Sequence, residues 1–199
     1  MLSLKEMWNQ NHKINDKKVE GDSVLYYKDN TDTACSASID DIDYHYFDGS
    51  DTLLEWIKNF VAFRTGLFGS AIGYDGTSKD LFEKMKANMS ISRKQVFIGY
   101  SRGGAIAMLT LIRYATMCYR RGVKPRAELV SFCMPKAGSR RLRKHCERLG
   151  FEHTRVIMKG DKVPKIVWWW CKQYTTRLIT LKNSEKGWKN KHKNVGKYL

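Results

Sequence analysis

The stretch QVFIGYSRGGAIAMLTLIRYA, residues 95–115, constrains the fold more than any other part of the chain. It opens as an apolar run with almost no polar alternation, as expected of a strand buried on both faces of a parallel sheet. The run ends in Gly99-Tyr100-Ser101-Arg102-Gly103-Gly104, and a long apolar segment follows directly. That segment reads as a helix from Gly103 to Arg121, apolar around much of its circumference, which is the mark of a buried helix. From Met85 onward the pattern alternates helix and strand, which predicts an α/β fold with a mostly parallel central sheet flanked by helices. In such sheets the functional residues lie beyond the carboxyl ends of the strands. With 199 residues the chain is expected to form a single domain over 1–199.

The other elements follow from period and punctuation. Ser3 and Glu6 fit a capping box opening a short amphipathic helix with Leu4, Met7 and Trp8 on one stripe. SVLYY (23–27) and DYHYF (43–47) read as strands, with a polar, turn-rich stretch from Lys28 to Asp43 between them. TLLEWIKNFVAF reads as a helix opened by Thr52 and Glu55, with Leu53, Ile57, Phe60 and Val61 on one face. GLFGSAIGYDGTS (66–78) reads as a glycine-rich loop forming a flexible rim. KDLFEKMKANM is amphipathic, with Leu81, Phe82, Met85 and Met89 inward. AELVSFCM (127–134), HTRVIM (153–158) and TTRLITL (175–181) read as strands, and SRRLRKHCERL (139–149) as a basic helix striped by Leu142, Cys146 and Leu149. The tail, GWKNKHKNVGKYL, is basic and glycine-punctuated.

Charge is unevenly spread. Residues 1–60 hold 12 acids and 6 lysines, whereas residues 61–199 hold 8 acids and 30 Lys/Arg, so the halves carry −6 and +22. A basic surface of this size favours anionic partners, either phospholipid headgroups or nucleic acid, or serves solubility alone. The five cysteines are odd in number, irregularly spaced and without a CxxC pair, which fits reduced thiols better than a disulfide scaffold or a zinc site. No metal constellation and no cofactor loop is apparent; the glycine-rich segment lacks the P-loop lysine and the dinucleotide pattern. The N-terminus carries Glu6 and no apolar h-region, and no run of 18 apolar residues occurs, so neither a signal peptide nor a transmembrane span is expected and the cytoplasm is the expected compartment.

The serine at the corner carries the chemistry. G-x-S-x-G between a strand and a helix is a nucleophile elbow, in which a sharp turn lifts the serine hydroxyl above the sheet edge and glycines leave it room. A serine nucleophile needs a base, and the base needs an orienting carboxylate, in the chain order Ser, Asp/Glu, His. His12 and His45 precede Ser101, His145 lies in the basic helix and His153 opens a strand, which leaves His192. Between them Asp161 is the only aspartate, and it sits just past the strand HTRVIM. Glu147 and Glu152 flank the basic helix and are expected to pair with its arginines. The expected triad is Ser101, Asp161 and His192.

Several separated stretches resemble one family, the class 3 lipases of the α/β-hydrolase fold. "YFDGSDTLLEWIKNF" resembles the family's strand, phenylalanine-arginine-glycine-serine turn and following helix, with Glu55 and Trp56 in matching places. "GYSRGGAIAML" matches the elbow. "SFCMPKAGS" resembles a phenylalanine-glycine-x-proline-arginine-x-glycine turn, and "RVIMKGDKVPKI" a strand, aspartate and valine-proline signature. The resemblance spans residues 43 to 192. It implies Ser101 as nucleophile, Asp161 as acid and His192 as base, with an oxyanion hole from Ser50 and the backbone N–H of Arg102; the alternative is that Ser50 or Asp51 merely caps the helix that follows, and both roles can coexist. Departures are Asp48 for the family's arginine, Tyr100-Ser101-Arg102 for its histidine-serine-leucine, and the loose glycine-rich segment before the elbow. The resemblance implies a compact intracellular or virus-encoded member.

On the substrate side, Trp168, Trp169 and Trp170 lie beside lysines directly after Asp161 and are expected at the rim, as an acyl groove or membrane contact. The expected activity is carboxylester hydrolysis of lipid-like esters, phospholipid or acylglycerol, through an acyl-enzyme and without cofactor or metal. The expected partners are a lipid or small ester substrate and an anionic membrane surface. The alternatives are a basic nucleic-acid-binding protein on an inactive hydrolase scaffold, for which no recognition motif speaks, and an acyl-protein thioesterase using the same triad.

Overall fold

The computed structural model describes residues 1–28, 32–49, 72–165, 174–184 and 186–199. The expected helix over TLLEWIKNFVAF lies outside these. The frame is a seven-stranded sheet in the order β1 to β7. The strands are β1 Ser23–Lys28, β2 Thr33–Ile39, β3 Ile42–Phe47, β4 Lys94–Tyr100, β5 Ala127–Phe132, β6 Glu152–Met158 and β7 Arg177–Leu181. β1, β2 and β3 pair antiparallel, and β3 through β7 pair parallel. The described helices are α1 Leu4–His12, α2 Ile72–Met85, α3 Arg102–Arg120, α4 Arg140–Leu149 and α5 Trp188–Lys193.

The strand order advances one way from β3 to β7. Right-handed crossovers then put the described crossover helices α2, α3 and α4 on the same face. That face gathers Leu81, Phe82 and Met85 of α2, much of α3, and Leu142, Cys146 and Leu149 of α4 against Phe97 and Leu129. The opposite face presents Tyr44, Tyr46, Val96, Ile98, Val130 and Phe132, and is covered by Met7 and Trp8 of α1 and by Val195 in the tail. α3 lies at the centre, with every residue from Arg102 to Ile112 buried, as its all-round apolarity requires. α1 carries the expected capping box between Ser3 and Glu6. α4 starts on Ser139, whose side chain accepts from the Arg141 N–H, and stops at Gly150, φ 67°, a left-handed cap.

Three expectations are corrected. The stretch expected to be turn-rich contains β2. Its Ala34, Cys35 and Ala37 are buried, and its hydroxyls are satisfied across the ladder: Ser36 Oγ meets His45 Nδ1 at 2.7 Å and Ser38 Oγ donates to Asp43 at 2.9 Å. Small polar residues that suggest a turn are here cross-strand partners. The glycine-rich segment is helical from Ile72, because Tyr74 and Ser78 are buried and Arg113 of α3 pairs with Asp75. A Cβ on Gly76 would touch nothing, so this glycine only weakens the helix, and packing on α3 outweighs the roughly 1 kcal/mol involved. The tail, read without elements, forms α5 and a 3-10 turn over Val195–Tyr198.

Candidate active site

β4 ends at Tyr100 and α3 begins at Arg102, so Ser101 alone makes the corner. Its backbone sits at φ 52°, ψ −122°, a region that L-residues avoid and that is held by its surroundings at functional sites. The holding groups are visible. The Ser101 N–H donates to the Phe132 carbonyl at 2.8 Å, and the Ser101 carbonyl accepts from Gly104 N–H at 3.1 Å. A Cβ on Gly99 would collide with the backbone of Gly103, and one on Gly103 with the carbonyl oxygens of Phe47 and Asp48. The glycines of the motif are therefore contact points between β3, β4 and α3.

His192 comes from α5 and Asp161 from the turn after β6. His192 Nε2 lies 3.0 Å from Ser101 Oγ. His192 Nδ1 lies 2.8 Å from Asp161 Oδ2. The other carboxylate oxygen, Asp161 Oδ1, accepts the Val163 N–H at 2.9 Å. All three side chains are largely buried: Ser101 is 6%, Asp161 2% and His192 8% exposed. The carboxylate fixes Nδ1 as the protonated nitrogen, which leaves the Nε2 lone pair facing the serine hydroxyl.

Arg102, the first residue of α3, has no i−4 carbonyl within the helix for its N–H. Its side chain turns away to a buried ion pair with Asp32, Nη2 to Oδ2 2.9 Å, and lies 3.4 Å from Thr77 Oγ1 of α2. An ion pair at this depth holds only if both partners stay, so it ties α2 and the start of β2 to the elbow. Ser50, Trp168, Trp169 and Trp170 lie outside the described residues. Of the acids expected to pair with α4, Glu147 does so with Arg143 at 3.3 Å. Basic residues also line a 680 Å³ groove near the far end of α3 from Ser101, among them Lys79, Arg120, Arg121 and His145.

Two neighbours are given no role at the site by the sequence reading. Cys133 Sγ shares one cluster with Asp161 and His192, their donor atoms all within 4.8 Å of one another. Among the described residues this is the only set with metal-ligand chemistry, and two of its members already hydrogen-bond each other. Burial, then the Asp161 charge, push the Cys133 thiol well above its ordinary value, so it is neutral. Cys133 stands at φ 49°, in the place where the resembled turn carries glycine, and that substitution was the available signal. Tyr100 is the second: its ring lies 5.0 Å from that of His192.

A mostly parallel sheet, a strand–serine–helix corner above its carboxyl edge and helices on both faces define an α/β-hydrolase fold. The sequence profile of the family described as lipase (class 3) matches residues 68–169, just over half of the chain, and the chain belongs to that family of carboxylic ester hydrolases. Solved lipases share the fold. The lipase from Rhizopus microsporus var. chinensis superposes with a TM-score of 0.69 at 14% identity, over 94% of this chain and 77% of that one. The triacylglyceride lipase of Rhizomucor miehei gives 0.59 at 17% identity, over 81% and 73%. A triacylglycerol lipase described as having a serine protease triad at its catalytic centre gives 0.54 at 20% identity, over 72% and 60%. No curated protein sequence matches the chain. Among the described residues no helix is long and apolar enough to cross a membrane.

Proposed function

We propose that Ser101, His192 and Asp161 are the nucleophile, base and orienting acid of a lipid-ester hydrolase that takes phospholipid or acylglycerol. The observation that carries this reading is the unbroken chain from Ser101 Oγ to His192 Nε2 (3.0 Å) and from His192 Nδ1 to Asp161 Oδ2 (2.8 Å), anchored on a serine of positive φ. His192 Nε2 takes the hydroxyl proton as Ser101 Oγ attacks the ester carbonyl. Asp161 stabilises the imidazolium that forms, and its second oxygen is held by the Val163 N–H. The oxyanion of the tetrahedral intermediate is held by the Arg102 N–H, with Ser50 as the second donor. Collapse expels the alcohol, protonated by His192. Water, activated by the same imidazole, then attacks the acyl-enzyme and frees the carboxylic acid. The serine protease triad named for the structurally similar triacylglycerol lipase supports these roles.

The test is active-site labelling with a fluorophosphonate. Stoichiometric modification mapped to Ser101 and lost in His192→Ala is expected, followed by turnover of a phospholipid and acylglycerol panel by the wild type. Folded protein that fails to label, or labels elsewhere, refutes the assignment.

A further inference from the structure

His192 sits on a helix of six residues, capped at its start by Gly187 without a side-chain hydrogen bond. So short a helix has little stability of its own. Its last four carbonyls have no partner within the helix, and the carbonyl of His192 is one of them. What meets it is Tyr100, whose hydroxyl donates to it at 3.2 Å. The Tyr100 ring also packs on the imidazole, centroids 5.0 Å apart and planes 31° apart. The residue immediately before Ser101 thus holds His192 by backbone and by ring.

Tyr100 is itself gripped from the far side. Trp8 of α1 packs edge-on against it at 5.1 Å, and His12 of α1 lies 5.5 Å away. Trp8 also abuts the segment after α5, where a Cβ on Gly196 would collide with the indole. α1, Tyr100 and the tail therefore form one aromatic stack ending on His192.

We infer that Tyr100, clamped by Trp8 and His12 of the N-terminal helix, is the positioning residue that aims the His192 imidazole at Ser101. The inference rests on the proposed roles of Ser101 and His192. Its chemistry is orientational. The hydroxyl fixes the backbone that carries the imidazole, and the ring limits its swing. A base displaced by a fraction of an ångström loses its proton-transfer geometry while substrate binding is untouched.

The experiment compares wild type, Tyr100→Phe, Tyr100→Leu and Trp8→Leu on a soluble short-chain ester, with thermal melts to establish folding. Tyr100→Phe, which keeps the ring, is expected to lower kcat by about 3- to 10-fold. Tyr100→Leu is expected to lower it by about 10² at unchanged KM, with fluorophosphonate labelling of Ser101 slowed in parallel. Trp8→Leu, remote from the serine, is expected to move kcat in the same direction. Folded Tyr100→Leu protein with wild-type kcat and labelling rate overturns the inference. So does a loss carried by KM alone. Should Tyr100→Leu fail to fold, the Tyr100→Phe and Trp8→Leu values decide. A wild type that does not label at Ser101 removes the proposed function; one that labels while the variants match it removes only the clamp.

Discussion

Of the serine–histidine pairs among the described residues of the sheet and its edge, two meet through Nε2 with nearly equal geometry. At its carboxyl edge Ser101 Oγ lies 3.0 Å from His192 Nε2. In its interior Ser131 Oγ lies 2.8 Å from His153 Nε2. In both, the other ring nitrogen meets an oxygen: Asp161 for His192, the carbonyl of Tyr174 at 2.7 Å for His153. Even the tautomer agrees. The difference lies in the surroundings. Ser131 sits in regular β5, paired with Gly99 on β4 and Arg155 on β6, and both it and His153 are wholly buried. A carbonyl cannot balance a positive imidazole as a carboxylate can, and burial drives the His153 pKa down to about 3. The interior pair satisfies two buried polar groups, and only the edge pair has a carboxylate behind its imidazole, as the proposed chemistry requires.

The sharpest test of this contrast exchanges the two serines for alanine. Ser101→Ala is expected to lower kcat by roughly 10⁶-fold. Ser131→Ala should leave turnover within a factor of two; a comparable loss there would erase the distinction. Next comes the oxygen behind the imidazole. Asp161→Asn, which makes that group as neutral as the one behind His153, is expected to cost roughly 10⁴-fold in kcat with the fold intact.

A third test uses acid. The folded His153 pKa of about 3 lies below an unfolded value of about 6.5. Between these values the unfolded chain binds the extra proton, so stability is full above pH 6.5 and is lost as pH falls toward 3. Between pH 7 and pH 5 His153 alone accounts for about 2 kcal/mol, measurable by urea unfolding. His45, whose pKa burial also lowers, adds to it in the same direction. A flat profile would mean that the interior histidines titrate normally. The smallest effect is the stability cost of Ser131→Ala, about 1 kcal/mol for one lost hydrogen bond, read from the same curves at pH 7.

The central βα unit was legible because its signal is local: an apolar run, a glycine-flanked serine and an apolar helix sit side by side, and chain order picks out Asp161 and His192. β2 was not legible, because its serines make sense only opposite His45 and Asp43 on another strand. The start of α2 was hidden by Gly73 and Gly76, whose cost is outweighed by contacts with α3 that no local pattern reports. The clamp on His192 was invisible for a similar reason: Trp8, Tyr100 and Gly196 come from distant parts of the chain. Arg102 was expected only as a backbone donor, and nothing near it in sequence announces its ion pair with Asp32.

The one-way strand order has a consequence for how the chain is made. The described crossover helices α2, α3 and α4 all lie on one side of the sheet, and among the described residues the other side is roofed by α1 and by the segment beyond residue 187. During synthesis α1 is made before the strands and can dock on Tyr44 and Phe132 as they form, whereas the part of that face under Val195 stays open until residues beyond 187 are made. That uncovered part is the sticky surface of the nascent protein. The segment that closes it also carries His192, so on the proposed roles Ser101 has no base until that segment has been made.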